Sequence, residues 1–325
     1  MRLRPATVAA LMAAAVVALA PLLITDRFLL KVLTFVGLNV IVVTGLALLF
    51  GYAGQVSLGH AAFVGIGAYT CANLTATLGL PWLVGFAAAG ALAALGGVVL
   101  AVPSLRLKGH YLAMATLGFN EIMTLVFVEA VPLTGGVNGF TGIPYATLGP
   151  IEIRTPAANY WLVWGVAGIA LLIAANLVSQ RPGRSMRAVH GSEAGAKASG
   201  VDVTGIKVRV FTLSAALAGL SGALYASFVG FVSPSVFTLS TSVTYLAMAV
   251  LGGAASLAGP VISTSLLTLL QYFDAFVPGL PSSTTEKIQQ FVPDIYALSI
   301  ILVVLFAPFG IGGLLKRRNR GGETA

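Results

Sequence analysis

The chain has 325 residues, of which 58% are hydrophobic and only 9% are charged. Soluble globular proteins are about 45–50% apolar and about 25% charged, so this composition excludes an ordinary soluble domain and indicates a membrane protein. The formal net charge of +8 does not indicate a nucleic-acid partner, because the basic residues lie in short stretches between apolar runs rather than on one solvated face.

Apolar runs of membrane-spanning length recur along the whole sequence. A bilayer crossing needs roughly 20 apolar residues. We therefore predict an all-α polytopic transmembrane bundle that forms one domain over residues 1–325, with some segments broken or re-entrant. The ten predicted segments are 6–25, 28–50, 56–78, 81–103, 110–131, 159–179, 209–232, 239–254, 257–277 and 293–313.

The first segment has two features of a secretory signal, a basic start at Arg2 and Arg4 and the small residues Ala18-Leu19-Ala20. Its apolar stretch exceeds the usual length of a signal-peptide core, which is about 7–15 residues. Pro21 directly follows the candidate cleavage point and should hinder cutting. We therefore expect this helix to be retained.

The basic residues predict the orientation of the bundle. With an even number of segments and both termini in the cytoplasm, 14 basic residues fall on the inner side and 4 on the outer side. The positive-inside rule favours this arrangement. The basic tail 314–325 then lies in the cytoplasm, where it can anchor to anionic membrane lipid.

Two glycine-rich stretches, 51–60 and 251–260, interrupt apolar runs and resemble each other weakly. Each is either a tight loop or a broken helix at membrane depth, which is tolerated only where protein buries it or where it lines a cavity. In the first stretch, Gln55, Ser57 and His60 either satisfy backbone groups freed by the break or hydrogen-bond a zwitterionic substrate. They are candidate translocation-path residues.

Asn120 and Glu121 lie near the middle of segment 110–131. A charge at the bilayer centre costs about 2.5–3.5 kcal/mol on insertion scales, so Glu121 should face the bundle, a cavity or a partner subunit. Its two interpretations are a hydrogen bond that holds a helix interface and a place on the translocation path.

Small residues repeat at helical spacing in segment 209–232, as in Ala215-x-x-x-Gly219-x-x-x-Ala223. Such residues let membrane helices approach closely. The alternative is an Ala-rich helix without a special contact.

The longest predicted cytoplasmic connection is 180–208. Ser192 is a good N-cap, Glu193 complements the helix dipole in the first turn, and Gly200 is a natural end. These residues predict a short helix outside the membrane, which is marginal unless another protein docks on it.

Several motifs resemble the LivH/LivM family of branched-chain amino acid permeases of ABC importers, and within it the LivM-type subunit. They run in order from residue 51 to residue 314: GYAGQVSLGH (51–60), RLKGHYLAMATL (106–117), TGGVNG (134–139), RPGRSMRAV (181–189), SEAGAKASGVD (192–202), LGGAASLAGP (251–260) and APFGIGGL (307–314). In addition, Glu193-Ala194 followed by Gly200 resembles the coupling loop of bacterial ABC importer permeases, which fits a groove on the ATPase.

The resemblance implies a multi-pass bacterial inner-membrane subunit that carries Leu, Ile or Val. It implies a LivH-type second permease subunit, two ABC ATPase subunits that bind ATP-Mg, and a periplasmic substrate-binding protein. This chain itself would be no enzyme and would hold no cofactor. The residues assigned to the ATPase-coupling helix are Arg187, Ser192, Glu193, Ala194, Ala196 and Gly200.

Other functions fit the sequence less well. A secondary transporter would favour several intramembrane ionisable residues, and an intramembrane enzyme would need paired carboxylates or metal ligands. Residues 134–142 lack the Lys of a phosphate loop and are either a turn-rich connection or a contact for the binding protein. The serious alternative concerns the cargo, which in a related permease would be urea, a short amide or a simple sugar.

Overall fold

A computed structural model describes residues 26–104, 110–253 and 257–272, with isolated positions 20, 21, 24 and 298. Most of segments 6–25 and 293–313 and the whole tail 314–325 lie outside the described residues, as do positions 254–256 of the second glycine-rich stretch. The predictions for the first helix and for the basic tail therefore stay predictions.

The described chain is built from helices. They are α1 (Arg27–Ala47), α2 (His60–Ala72), α3 (Trp82–Ser104), α4 (His110–Glu129), α5 (Val131–Thr134), α6 (Pro156–Ser179), α7 (Arg181–Gly191), α8 (Glu193–Ala198), α9 (Val203–Val229), α10 (Leu239–Gly252) and α11 (Ala258–Gln271). A π-helical turn, Leu48–Tyr52, continues α1, and another, Asn73–Thr77, continues α2. The strands of the described chain have two residues each: β1 (Phe140–Thr141), β2 (Thr147–Leu148), β3 (Ile151–Glu152) and β4 (Phe231–Val232).

Six of the described helical stretches are long and apolar enough to cross a membrane. They are 27–52, 82–102, 111–129, 156–179, 203–229 and 234–252, and α11 is a shorter apolar helix. The chain is thus a predominantly helical, multi-pass membrane protein of the all-α class. The expected count of about ten segments stays a prediction.

Polar side chains cap the starts of several spans. The Asp26 carboxylate accepts from Phe28 N–H at the start of α1, and the Thr155 hydroxyl accepts from Ala158 N–H at the start of α6. Asp202 caps α9 in the same way, so this helix begins at Val203 rather than at the predicted residue 209. Each cap satisfies an amide that has no partner within its own helix.

Helices α1 and α9 form the centre of the bundle. Their most apolar windows are 83% and 72% buried, against 22–28% for α3, α4 and α6. Helix α2 packs against α9 and α3 and is buried along nearly its whole length. The outer three helices leave apolar faces for lipid or for another protein.

Glycines set the distance between α2, α9 and α3. A methyl group added at Gly222 of α9 would collide with the Val64 carbonyl of α2, and one at Gly67 would collide with the Gly219 backbone. A methyl group at Gly219 itself would collide with Ala93 of α3. The packing interpretation of the small residues in this segment is therefore confirmed.

Loop contacts define two ends of the bundle. At one end β1 pairs antiparallel with β4, and the indole of Trp82 donates to Ser227 Oγ at 2.7 Å. At the other end, α7 lies against the connection between α1 and α2. Connections that the charge pattern assigns to the same side therefore meet in the structure. We call the second one the α7–α8 end.

Candidate coupling helix and buried polar network

Helix α8 forms as its sequence predicts. Ser192 Oγ accepts from Gly195 N–H at 3.1 Å, and Gly200 follows the helix with a positive φ of 77°. Glu193 lies in the first turn, where its charge complements the helix dipole.

An ion pair attaches α8 to the long central helix α9. Lys207 Nζ lies 2.5 Å from Glu193 Oε1, and the Lys207 side chain is only 8% exposed. Ala196 is buried on the same side, whereas Ala194 and Gly200 are exposed. One face of α8 is therefore fixed to the membrane-spanning bundle, and the other is open to a partner.

Helix α7 connects α8 to the rest of this end. Arg187 donates from Nη1 to the Val178 carbonyl of α6 at 3.3 Å. His190 Nδ1 lies 3.1 Å from the Gly51 carbonyl, and since a carbonyl only accepts, this nitrogen carries the proton. The imidazole also lies against Gly54, where an added Cβ would be 3.3 Å from the ring.

The connection between α1 and α2 is not helical over residues 53–59. It follows the π-helical turn, and the amides of Ala53, Gly54 and Gln55 donate back to carbonyls of that turn at 3.0–3.2 Å. Gly54 has a φ of +68°. The glycine-rich stretch 51–60 thus interrupts the helix between α1 and α2, and protein buries most of it. We call residues 53–59 the α1–α2 connection.

His60 joins the α1–α2 connection to α9. Its Nδ1 lies 3.0 Å from Ser57 Oγ and its Nε2 lies 2.7 Å from Ser214 Oγ, and the side chain is fully buried. Each ring nitrogen thus has a partner. Of its two predicted roles, this geometry favours satisfying polar groups at the break.

Side chains from other helices cap the start of α2. Ala61 N–H donates to Ser242 Oγ at 3.0 Å, and Ala62 N–H donates to Asn120 Oδ1 at 3.1 Å. Ser242 also donates to Asn120 at 3.0 Å. Asn120, fully buried, therefore holds α2, α4 and α10 together.

Thr116, Ser214 and Ser242 belong to this network and were missed by the sequence analysis. The Thr116 hydroxyl accepts from Leu58 N–H at 2.9 Å. Each is a polar residue inside an apolar helix, which is the available sequence signal. That signal does not single out these three residues, because membrane helices carry many hydroxyl groups that donate only to a carbonyl of the preceding turn of the same helix.

The two remaining candidate path residues differ in environment. Gln55 is buried, and its Oε1 accepts no hydrogen bond among the described residues. Glu121 is exposed on the outer face of α4 and forms no ion pair with the part of the chain that the structure describes. The five predicted path residues therefore do not form one cluster, because Gln55, Ser57, His60 and Asn120 are internal and Glu121 faces outward.

The opposite end carries the connection 134–155. Gly135 and Gly139 both have positive φ, which makes the turns around the short helix Gly136–Asn138. Glu152 pairs with Arg154 at 2.9 Å, and that hydrogen bond raises the pKa of the Arg154 guanidinium. Val137 and Ile151 are 76% and 67% exposed, so this end presents apolar surface.

The described residues contain no group of three or more His, Cys, Asp or Glu side chains that could hold a metal ion.

Comparison with known proteins identifies the family to which this chain is similar. The family model for the branched-chain amino acid transport system permease component matches residues 28–307. The chain is 33% identical over 282 residues to the high-affinity branched-chain amino acid transport system permease protein LivM of Salmonella typhimurium and, equally, to that of Escherichia coli. Each match covers 80% of this chain but 66% of the relative, so the chain spans just under two thirds of their length.

A second kind of permease is also similar. The LivH permease protein of the Escherichia coli branched-chain amino acid system is 24% identical over 290 residues, which cover 84% of this chain and 90% of LivH. No solved structure matches the chain.

Proposed function

This chain belongs to the branched-chain amino acid transport permease family, and we propose that it is the LivM-type transmembrane subunit of an ABC importer for leucine, isoleucine and valine. The observation that carries the proposal is the capped helix α8 between two membrane-spanning helices, attached to α9 by the Lys207–Glu193 pair. A helix of six residues is marginal alone and gains a function as a docking element.

The proposed mechanism uses separate motor subunits. A periplasmic binding protein delivers the amino acid at the end of the bundle that carries the connection 134–155. Two ATPase subunits bind ATP-Mg, close, and move α8, and the bundle alternates between outward-open and inward-open states. This chain holds no cofactor of its own, and a solute is pumped only if its affinity differs between the two states.

The proposed orientation places both termini and the α7–α8 end in the cytoplasm of a bacterial inner membrane. The excess of basic residues on that side supports it. Arg187, Ser192, Glu193, Ala194, Ala196 and Gly200 are the proposed coupling residues.

The exposed position of Glu121 supports a translocation path along the outer face of α4. Its carboxylate is exposed near the middle of α4, and leaving it to lipid would cost about 2.5–3.5 kcal/mol. We propose that a LivH-type second permease subunit covers Glu121 and that the translocation path lies between the two chains. Asn120, the neighbouring residue, stays inside as a structural contact.

Uptake by the reconstituted complex tests the cargo. Labelled leucine, isoleucine, valine, urea and ribose would be compared in vesicles that contain both permease subunits, the ATPases and the binding protein. We expect uptake of the three branched-chain amino acids alone. Uptake of urea without leucine would instead assign the chain to the permeases for urea or short amides.

Two variants test the coupling helix. Glu193→Gln removes the partner of Lys207, and Ala196→Pro breaks α8 at a buried position. Both should abolish uptake while the chain still inserts into the membrane. Ala198→Ser, at an exposed position of the same helix outside the proposed coupling residues, is the matched control for fold. Unchanged uptake and unchanged ATPase association in both disruptive variants would refute the assignment.

A further inference from the structure

A continuous series of contacts runs from the α7–α8 end to the helix that carries Glu121. His190 of α7 donates to the Gly51 carbonyl in the π-helical turn, and that turn leads directly into the α1–α2 connection. Leu58 of the connection donates to Thr116 of α4, one turn before Asn120 and Glu121. The series therefore joins the proposed ATPase contact to the proposed path.

The middle of this series has features of a movable element. A π-helical turn carries one extra residue per turn and often marks a functional site. The turn is followed by seven residues without regular helix, with Gly54 in a left-handed conformation. Gln55 places a buried carbonyl oxygen there that no donor among the described residues satisfies. A buried acceptor without a partner is a group that a rearrangement of the connection can satisfy.

The ends of the series are, in contrast, firmly held. His60 binds Ser57 and Ser214 with both ring nitrogens, and the start of α2 is capped by Asn120 and Ser242. A displacement of the π-helical turn is therefore passed to α4 and α9 rather than absorbed locally, since tightly packed cores shift between discrete arrangements.

We propose that His190 is a positioning residue that transmits the movement of the coupling helices α7 and α8 to the α1–α2 connection. This inference rests on the proposed function, because it concerns how an ATP-driven movement reaches the path. His190 acts through its hydrogen bond to Gly51 and through the contact of its ring with Gly54. It needs no contact with the cargo.

The role predicts a specific defect. His190→Phe keeps a ring of similar size against Gly54 but removes the donor to Gly51. His190→Gln restores a side-chain N–H donor. We expect His190→Phe to lower leucine uptake per ATP hydrolysed by about fivefold, the factor that corresponds to one hydrogen bond, and His190→Gln to recover most of it. Ala188→Ser, at an exposed position of α7, is the control and should match wild type.

A labelling experiment follows the movement itself. Val56→Cys, at a half-buried position, would report in the assembled complex the exposure of the α1–α2 connection to a maleimide with and without ATP. The native Cys71 is fully buried, and a Cys71→Ser background removes it from the readout. ATP should change the labelling rate when His190 is present and should leave that rate unchanged in the His190→Phe variant.

A second variant perturbs the same contact from the other side. Gly54→Ala places a methyl group 3.3 Å from the His190 ring at a backbone conformation that favours glycine. It should reproduce the loss of uptake per ATP. A His190→Phe complex with wild-type uptake per ATP and with ATP-sensitive labelling of the Val56→Cys thiol would overturn the proposal. A wild-type complex that does not transport leucine would instead overturn the proposed function.

Discussion

The packing of α2 against α9 makes a sharp prediction about Gly222. A methyl group at this position would lie well inside van der Waals contact with the Val64 carbonyl, which belongs to the backbone and cannot turn away. Gly222→Ala therefore forces the two helices apart by roughly 1 Å, and a gap of that size forfeits about a quarter to a half of each dispersion contact along the interface.

The magnitude follows from two opposing effects. Alanine stabilises a helix by about 1 kcal/mol relative to glycine, whereas overpacking a well-packed core costs about 1–3 kcal/mol, and backbone involvement places this site at the upper end. We expect Gly222→Ala to destabilise the protein by about 1–2 kcal/mol. Gly168→Ala in α6 is the matched control, because nothing lies within 4 Å of its added Cβ, and this variant should be neutral or slightly stabilising.

Thermal unfolding of the purified proteins in one detergent, followed by the loss of the monodisperse species, measures the difference. The unfolding midpoint of Gly168→Ala should equal or exceed that of wild type. The midpoint of Gly222→Ala should lie below that of wild type. A Gly222→Ala protein as stable as the Gly168→Ala protein would refute the close approach of α2 and α9.

Three further predictions concern stability in the isolated chain. Asn120→Ala leaves two buried donors without an acceptor and should cost about 1–3 kcal/mol in detergent unfolding, whereas Glu121→Gln, one residue away and exposed, should leave the midpoint unchanged. Gly59→Ala brings a methyl group to 2.7 Å from the Thr116 carbonyl and should lower the midpoint by an amount similar to Gly222→Ala. Glu152→Ala removes an exposed ion pair and should leave the unfolding midpoint unchanged at low and at high salt. A clear drop of the midpoint at low salt alone would show that this pair is stronger than its exposure indicates.

The helices could be predicted from the sequence where a local signal sets them. Ser192 and Gly200 mark the ends of α8 because capping depends on residues close in the chain. The start of α9 was placed six residues late, since Lys207 and Arg209 interrupt the apolar run. Lys207 is nevertheless buried, because Glu193 from a different helix neutralises it.

The polar network could be predicted only in part. His60 was identified from its position at a break, but its partner Ser214 lies 154 residues away, and no local pattern connects the two. Asn120 and Glu121 are adjacent in sequence and therefore about 100° apart around α4, so one is buried and the other exposed. Apolar residues surround both, and the sequence alone does not reveal which side of such a helix faces the bundle.

The most direct test of the account is whether leucine accumulation depends on a separate motor. Vesicles would contain this chain alone, this chain with its second permease subunit, or the full complex with ATPases and binding protein, and leucine would be measured inside with and without ATP. We predict accumulation above the external concentration only in the full complex with ATP. Accumulation of leucine against its gradient by the single chain would contradict the account.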